Sequence, residues 1–227
     1  MTPEGADVLR RAAAHLVVDD VRDVTIDEPQ AHHLFRVLRV RDGDVVTVTD
    51  GRGAWRRCRA AGASVTADGE VHVEPDPTDP VTIAFAVPKH DRPEWIVQKL
   101  TEIGVDRIVL LHAERSVVRW GADRAERHVS KLQRVALEAV QQSRRVRLPT
   151  VSGPVPAVDV ICAAAAAEPG GRAIVPTDRV IAIGPEGGWT DDELRRAAAL
   201  VSLGSTVLRV ETAAVCAAVR VVHHTEW

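Results

Sequence analysis

Ile181-Ala182-Ile183-Gly184-Pro185-Glu186-Gly187-Gly188-Trp189-Thr190 reads as a strand running into a glycine turn and then a helix. Val180 to Ile183 is a short apolar run of the kind that forms a buried strand, and Gly184-Pro185 breaks it. Thr190 and Glu193 have capping-box spacing, which predicts a helix start there. A second stretch, Leu203-Gly204-Ser205-Thr206-Val207-Leu208-Arg209-Val210-Glu211-Thr212-Ala213, repeats the grammar. Two strand-to-helix turns this close make one pocket at the ends of neighbouring strands, where open α/β sheets bind ligands.

Three familiar chemistries do not fit the first turn. It lacks the Gly-Lys-Ser/Thr ending that puts a lysine on phosphates, and it lacks the Gly-x-Gly-x-x-Gly dinucleotide spacing. No Gly-x-Ser-x-Gly elbow for acyl transfer is present either. What is left is a pocket that grips its ligand through main-chain groups.

Outward from that pocket, residues 81 onward alternate strands and helices. Val81–Val87 and Ile108–Leu111 read as strands. Asp91, Pro93 and Glu94 predict a capped helix start, with Ile96, Leu100 and Ile103 on one face and Gly104 closing it. A helix over Arg124–Ser143 buries Val129, Leu132, Ala136 and Val140 and exposes Arg127, Lys131 and Arg134. The Ala163–Ala167 run is read as part of a buried strand. This alternation implies a mainly parallel sheet.

The N-terminal part differs. His15–Val18 and Val45–Thr49 are strand patterns, and Val65–Val73 alternates around a turn at Asp68-Gly69. His32–Val40 reads as a short helix carrying Arg36 and Arg39 opposite Leu34, Val37 and Leu38. Short strands, glycine turns and one helix suggest a small barrel over residues 1–75. The prolines of 76–80 read as a linker to a second domain over 81–227.

The chain of 227 residues is 45% hydrophobic and 27% charged, ordinary for a globular protein. No apolar run approaches a membrane span, the N-terminus does not read as a signal sequence, and the expected location is the cytoplasm. Cys58, Cys162 and Cys216 suggest neither a disulfide framework nor a zinc site, and the His32-His33 pair lacks partners at ligand spacing, so no metal is expected. The net charge of −3 argues against a generic nucleic-acid binder, but residues 81–150 hold 13 basic and 8 acidic side chains. That local excess is compatible with phosphate contacts; as charge alone it reads more readily as an ordinary solvated face.

The two glycine stretches, taken with their order, resemble the RsmE family of 16S ribosomal RNA N3-uridine methyltransferases. The likeness extends to His32-His33…Val37-Leu38-Arg39…Gly43-Asp44…Asp50-Gly51, to Lys89…Gln98–Val105, to Glu114-Arg115-Ser116, and to Glu138-Ala139…Gln142-Ser143…Arg145…Pro149. Gln141 and Trp189 depart from the family pattern, and the tail after Ala213 is short. The resemblance implies an N-terminal PUA-like RNA-binding β-barrel. It also implies a C-terminal SPOUT domain with a deep trefoil knot, a rare exception to unknotted connection.

By the same resemblance, S-adenosyl-L-methionine is the methyl donor, and homodimers act on 16S rRNA of the small ribosomal subunit. Ile183, Gly184, Pro185, Glu186, Gly187 and Gly188 would form one cofactor loop and Leu203, Gly204, Leu208 and Arg209 another. Ala167-Glu168-Pro169-Gly170 would supply a further wall. Arg209 and Glu211 are the candidate catalytic residues: a cation for the uridine anion and a base for N3, although Glu211 and Glu186 read equally as helix-start carboxylates. Arg115, Arg144, Arg145 and Arg147 would bind RNA phosphates, with Arg36 and Arg39 on the barrel. Two other classes share part of the pattern: a SPOUT enzyme for another rRNA or tRNA site, and a non-catalytic assembly factor.

Overall fold

A computed structural model describes residues 2–223. Residues 224–227, which the sequence places in the second domain, lie outside the described residues. The chain divides into two compact units, Met1–Pro77 with Leu137–Leu148, and Thr78–Ala136 with Pro149–Trp227.

The first unit opens with α1 (Pro3–Arg11), whose N-terminus is capped by Thr2, and continues into β1 (Ala14–Val17). A full capping box between Asp27 and Gln30 starts α2 (Glu28–His32). The predicted His32–Val40 helix is split: α2 stops at His32, His33–Val37 forms a π-helical turn, and Arg39 takes a φ of 58°. Then β2 (Val45–Thr49), β3 (Ala54–Ala61) and β4 (Ser64–Val73) give a four-stranded sheet ordered β1-β2-β3-β4. β1 pairs parallel with β2, and the other pairs are antiparallel. The predicted turn at Asp68-Gly69 is a register shift within one continuous strand, opposite Arg56–Cys58. Arg57 Nε donates to the Asp68 carbonyl at 2.8 Å and Arg56 Nε to the Gly69 carbonyl at 2.6 Å. These bonds satisfy acceptors that the irregular ladder would leave open.

The core of this unit gathers Leu16, Leu34, Val46, Val48 and Cys58. Residues 144–148 are stitched into it by main-chain acceptors and donors. Val146 O accepts from Thr49 Oγ1 at 2.9 Å and from Gly53 N at 3.0 Å, and Leu148 N donates to Gly51 O at 2.8 Å. The linker at 76–80 places this segment in the second domain, because pairing across that sequence distance leaves no local signature.

The second unit runs β5 (Thr82–Ala86), α3 (Arg92–Ile103), β6 (Arg107–His112), α4 (Ala122–Ser143), β7 (Thr150–Pro156), α5 (Val158–Ile161), β8 (Ala165–Arg172), β9 (Val180–Ile183), α6 (Asp191–Arg196), β10 (Ala199–Val201) and α7 (Val210–Val222). The last turns of α4 belong to the first unit. The sheet order is β10-β8-β9-β5-β6-β7, every neighbouring pair parallel, as the alternation predicts. From β5 the chain builds outward through β6 to β7, then crosses to the other side for β8 and β9. The order therefore reverses beside β5 and β9, and a crevice opens at such a switch point. Gly104 ends α3 with a φ of 115°, donating to Leu100 O and Thr101 O. Asp91, in contrast, makes no side-chain cap bond, and Glu94 instead accepts from Lys131 Nζ at 2.6 Å.

α7 packs on α3 and on β5 and β9. Ala214, Ala217 and Ala218 on its inner face have no solvent exposure, and methyl-sized side chains set how closely its axis can approach those neighbours. Ala217→Leu is expected to cost about 1–3 kcal/mol through overpacking, read as a lowered urea midpoint with an unchanged slope. Among the described residues, no helix is long and apolar enough to cross a membrane.

Candidate active site

β9 stops at Ile183, and the Gly188 N–H closes the following turn on the Pro185 carbonyl at 2.9 Å. Gly188 sits at a φ of 70°, a region open to glycine at no steric cost. Gly184 is required for a different reason. A β-carbon there would lie 3.0 Å from Cε2 and Nε1 of Trp189, whose indole lies against this backbone. Trp189 is 4% exposed and its Nε1 donates to Ala167 O at 3.2 Å, which ties the turn to β8.

The turn is also held from the end of β6. Arg115 Nη1 donates to Trp189 O at 3.0 Å and to Gly187 O at 3.3 Å. Glu193, 2% exposed, accepts from Glu114 N and from Thr190 N at 2.9 Å each, within the predicted Thr190–Glu193 capping box. A buried carboxylate is tolerable here because its oxygens are hydrogen-bonded. The second loop is fastened from α7: Arg220 Nη1 donates to Ser202 O at 3.3 Å, and Cys216 Sγ lies 3.8 Å from Leu203 O.

Between the two loops lies a cavity of about 390 Å³. Ile183, Gly184, Pro185, Glu186, Gly188, Leu203, Gly204, Leu208 and Arg209 all line it, so the structure brings the two sequence motifs together. Gly187 does not line it; it backs onto Arg115. Ala167, Glu168 and Pro169 supply the further wall. Sequence reasoning missed Trp189, Thr206, Val207, Val210 and Ala213, which also line it. Their signal was available for Val210 and Ala213, which lie on one side of a helix beginning at the pocket.

The mouth is charged. Arg209 is the N-cap residue of α7, exposed, and makes no side-chain cap bond. Glu211, two residues on, has a buried Oε2 with no hydrogen-bond partner among the described residues. Arg92 Nη1 stands 3.6 Å from that Oε2 and 3.8 Å from Glu186 Oε1, so one guanidinium spans both acids. Arg92 opens α3 and reads in sequence only as a residue beside a cap. Its role depends on α3 packing against α7, which no local pattern shows.

The other predicted arginines fall into both units. Arg36 and Arg39 are exposed in the first. There Arg144 donates to Gln141 O at 2.9 Å and Ala12 O at 3.2 Å, and burial lowers its pKa. Arg147 donates to Arg52 O at 2.6 Å and to Asp76 Oδ1 at 2.7 Å, and also to Glu74 O. The Arg145 carbonyl accepts from His15. Arg115 lies in the second unit, with its guanidinium on the glycine turn. Three of the predicted phosphate contacts thus already hold main-chain acceptors. Among the described residues, no group of three or more His, Cys, Asp or Glu side chains is placed to hold a metal ion.

A family model described as an RNA methyltransferase domain matches residues 74–222, and one described as an RNA methyltransferase PUA domain matches 26–64. Fold, cavity and both matches define the class: an RNA methyltransferase domain joined to a PUA domain. The ribosomal RNA small subunit methyltransferase E of Synechocystis sp. is 35% identical over 214 residues, covering 84% of this chain and 69% of the relative. That of Mycobacterium bovis is 31% identical over 220 residues, covering 85% and 83%. The chain belongs to the ribosomal RNA small subunit methyltransferase E family. Its fold matches a probable rRNA-methyltransferase from Porphyromonas gingivalis with a TM-score of 0.74, at 31% identity over 90% of this chain and 95% of that one. The fold is also that of a Neisseria gonorrhoeae ribosomal RNA small subunit methyltransferase E bound to S-adenosyl methionine, with a TM-score of 0.74 at 24% identity, covering 94% and 98%.

Proposed function

We propose that this protein methylates N3 of one uridine in the decoding region of 16S rRNA in the small ribosomal subunit, with S-adenosyl-L-methionine as donor. The observation that carries the reading is the cavity between the Gly184–Gly188 and Leu203–Arg209 loops. It opens past the ends of β8, β9 and β10 in a chain of this family. The names of the relatives support the RNA substrate, and the ligand of the Neisseria protein supports the donor. In this reading residues 1–75, joined by 137–148, are the RNA-binding PUA-like domain and the rest of 81–227 the catalytic one, with α7 as the knotted segment. The protein works in the cytoplasm as a homodimer.

The residues present fit that donor. Glycine main chain and apolar side chains shape the cavity, and Glu168 and Glu186 give it an acidic edge suited to a cationic ligand. S-adenosylmethionine, when bound, supplies an electrophilic methyl group on a sulfonium. The chain's own task is to align the base and to make its N3 nucleophilic. Glu211, whose buried oxygen makes no hydrogen bond and faces only the Arg92 charge, accepts the N3 proton, and Arg209 offers its guanidinium to the charge spread over O2 and O4. Arg92 positions Glu211 and Glu186 about the mouth. Arg92→Ala is expected to lower kcat about tenfold, roughly 1.4 kcal/mol, while Arg92→Lys restores part of it.

The test incubates purified protein and labelled S-adenosylmethionine with small subunits that lack the modification, then locates the label by mass spectrometry. Label on N3 of a single 16S uridine is the expected result. Absence of label overturns the enzymatic reading, and label on another RNA site overturns the site assignment alone.

A further inference from the structure

The second unit carries a cationic cup that the cavity chemistry does not use. Arg124, Arg127, His128 and Lys131 recur on successive turns of α4 and enclose a depression of about 300 Å³. The three permanent cations are exposed. Lys131 is paired with Glu94 at 2.6 Å. Among the described residues, the acceptors of the two arginines are neutral: Arg124 Nε donates to His128 Nε2 at 3.3 Å, and Arg127 Nε to Asp123 O at 3.2 Å.

His128 is fixed, not loose. Its ring stacks on Trp120 with centroids 4.1 Å apart and planes at 13°. Burial, then Arg124, lowers its pKa; Lys131 and Arg127 act in the same direction and Glu94 opposes them. His112, also close to Trp120 (its Nε2 accepts from Trp120 N at 3.2 Å), is lowered by burial and by Arg119. Arg124, Arg127 and Lys131 stand at helical i,i+3 and i,i+4 spacing, where like charges repel, and an anion seated among them relieves that repulsion.

We infer that this face of α4 is a docking site for the phosphodiester backbone of RNA, within the methyltransferase unit itself. Two guanidiniums flanking one depression match phosphate oxygens, which Arg recognises through its fork of donors. The neutral imidazole on its tryptophan shelf adds a flat surface beside them. The inference rests on the RNA-methylating reading for its partner, but it names contacts that reading does not need.

The test measures binding of full-length protein to a fluorescent 16S RNA transcript over a range of salt, for the native chain and for R124Q/R127Q. A comparison variant, R195Q/R196Q, removes two arginines from α6 that are paired with Asp192. Each phosphate contact contributes a slope of about 0.7–0.9 in log K against log salt, so R124Q/R127Q is expected to flatten the slope by about 1–2 and to weaken binding roughly tenfold. R195Q/R196Q is expected to leave the slope unchanged. S-adenosylmethionine affinity, measured alongside, should be the same in all three, which reports an intact fold. An unaltered slope in R124Q/R127Q, or an equal loss in R195Q/R196Q, overturns the inference. Inorganic phosphate competing at millimolar concentration as well as RNA does would equally overturn it, as a free-anion site. Methyl transfer by the native chain with no change in slope defeats this inference alone. A flattened slope without methyl transfer defeats the methylation reading alone.

Discussion

Gly184→Val is expected to weaken S-adenosylmethionine binding at least about 100-fold, close to 2.7 kcal/mol, while the protein stays folded. The new β-carbon would fall 3.0 Å from the Trp189 ring, tighter than ordinary contact. The indole cannot step aside freely, because it is 4% exposed and hydrogen-bonded to Ala167 O. The two γ-methyls would have to displace Trp189 or enter the cavity that Gly184 itself lines. Displacing the indole also cuts the tie between the turn and the Ala167–Pro169 wall, so either path deforms the pocket. Overpacking costs about 1–3 kcal/mol of stability, which a protein of this size survives. Calorimetric titration with the cofactor, set beside thermal unfolding, separates the two effects. Native-like affinity in a folded G184V protein would place the cofactor elsewhere.

The same geometry shows what a sequence can and cannot disclose. Glycine turns, the Thr190–Glu193 box and the Gly104 cap are local: their donors and acceptors lie within a few residues, so the spacing of residue types carries them. The parallel sheet follows from the alternation of strand and helix. Arg92 is the opposite case. It reaches Glu186 and Glu211 only because α3 packs on α7, and the nearest of those acids is far along the chain. Arg115 reads as a phosphate ligand through the family resemblance, which supplies an RNA partner and no partner within the chain. Folding gives it two carbonyls of the glycine turn. Arg144 and Arg147 were legible as a basic run, but the main-chain acceptors at Ala12, Arg52 and Glu74 that occupy them were not. The π-helical turn at His33–Val37 likewise has an ordinary helical pattern; what widens it leaves no mark on residue spacing.

The segment after α4 also sets the acid limit of the first unit, through His15. This histidine is 2% exposed and lies between Thr47 Oγ1 at 2.8 Å and the Arg145 carbonyl at 2.9 Å. A carbonyl can only accept, so Nε2 carries the proton and Nδ1 takes the Thr47 hydroxyl's. Burial is the largest cause that moves its pKa, from 6.5 down to about 4; the Arg145 carbonyl opposes this and the Arg144 charge reinforces it. The unfolded chain therefore binds this proton more readily than the folded one. The stability that the neutral ring contributes is complete above about pH 6.5 and is lost as the pH falls towards 4. The loss should reach about 2 kcal/mol near pH 5 and about 3 kcal/mol near pH 4. His15→Gln removes the titrating group and should flatten the fall of unfolding free energy over that window, although the variant starts less stable. Urea titrations of the full chain at several pH values read the difference in slope directly. Since His15 holds the Arg145 carbonyl, amide protection through residues 144–148, taken relative to the intrinsic exchange rate at each pH, should also fall on acidification in the native chain. Parallel pH profiles for the native chain and H15Q would show that the histidine titrates freely and that carboxylates alone set the acid limit.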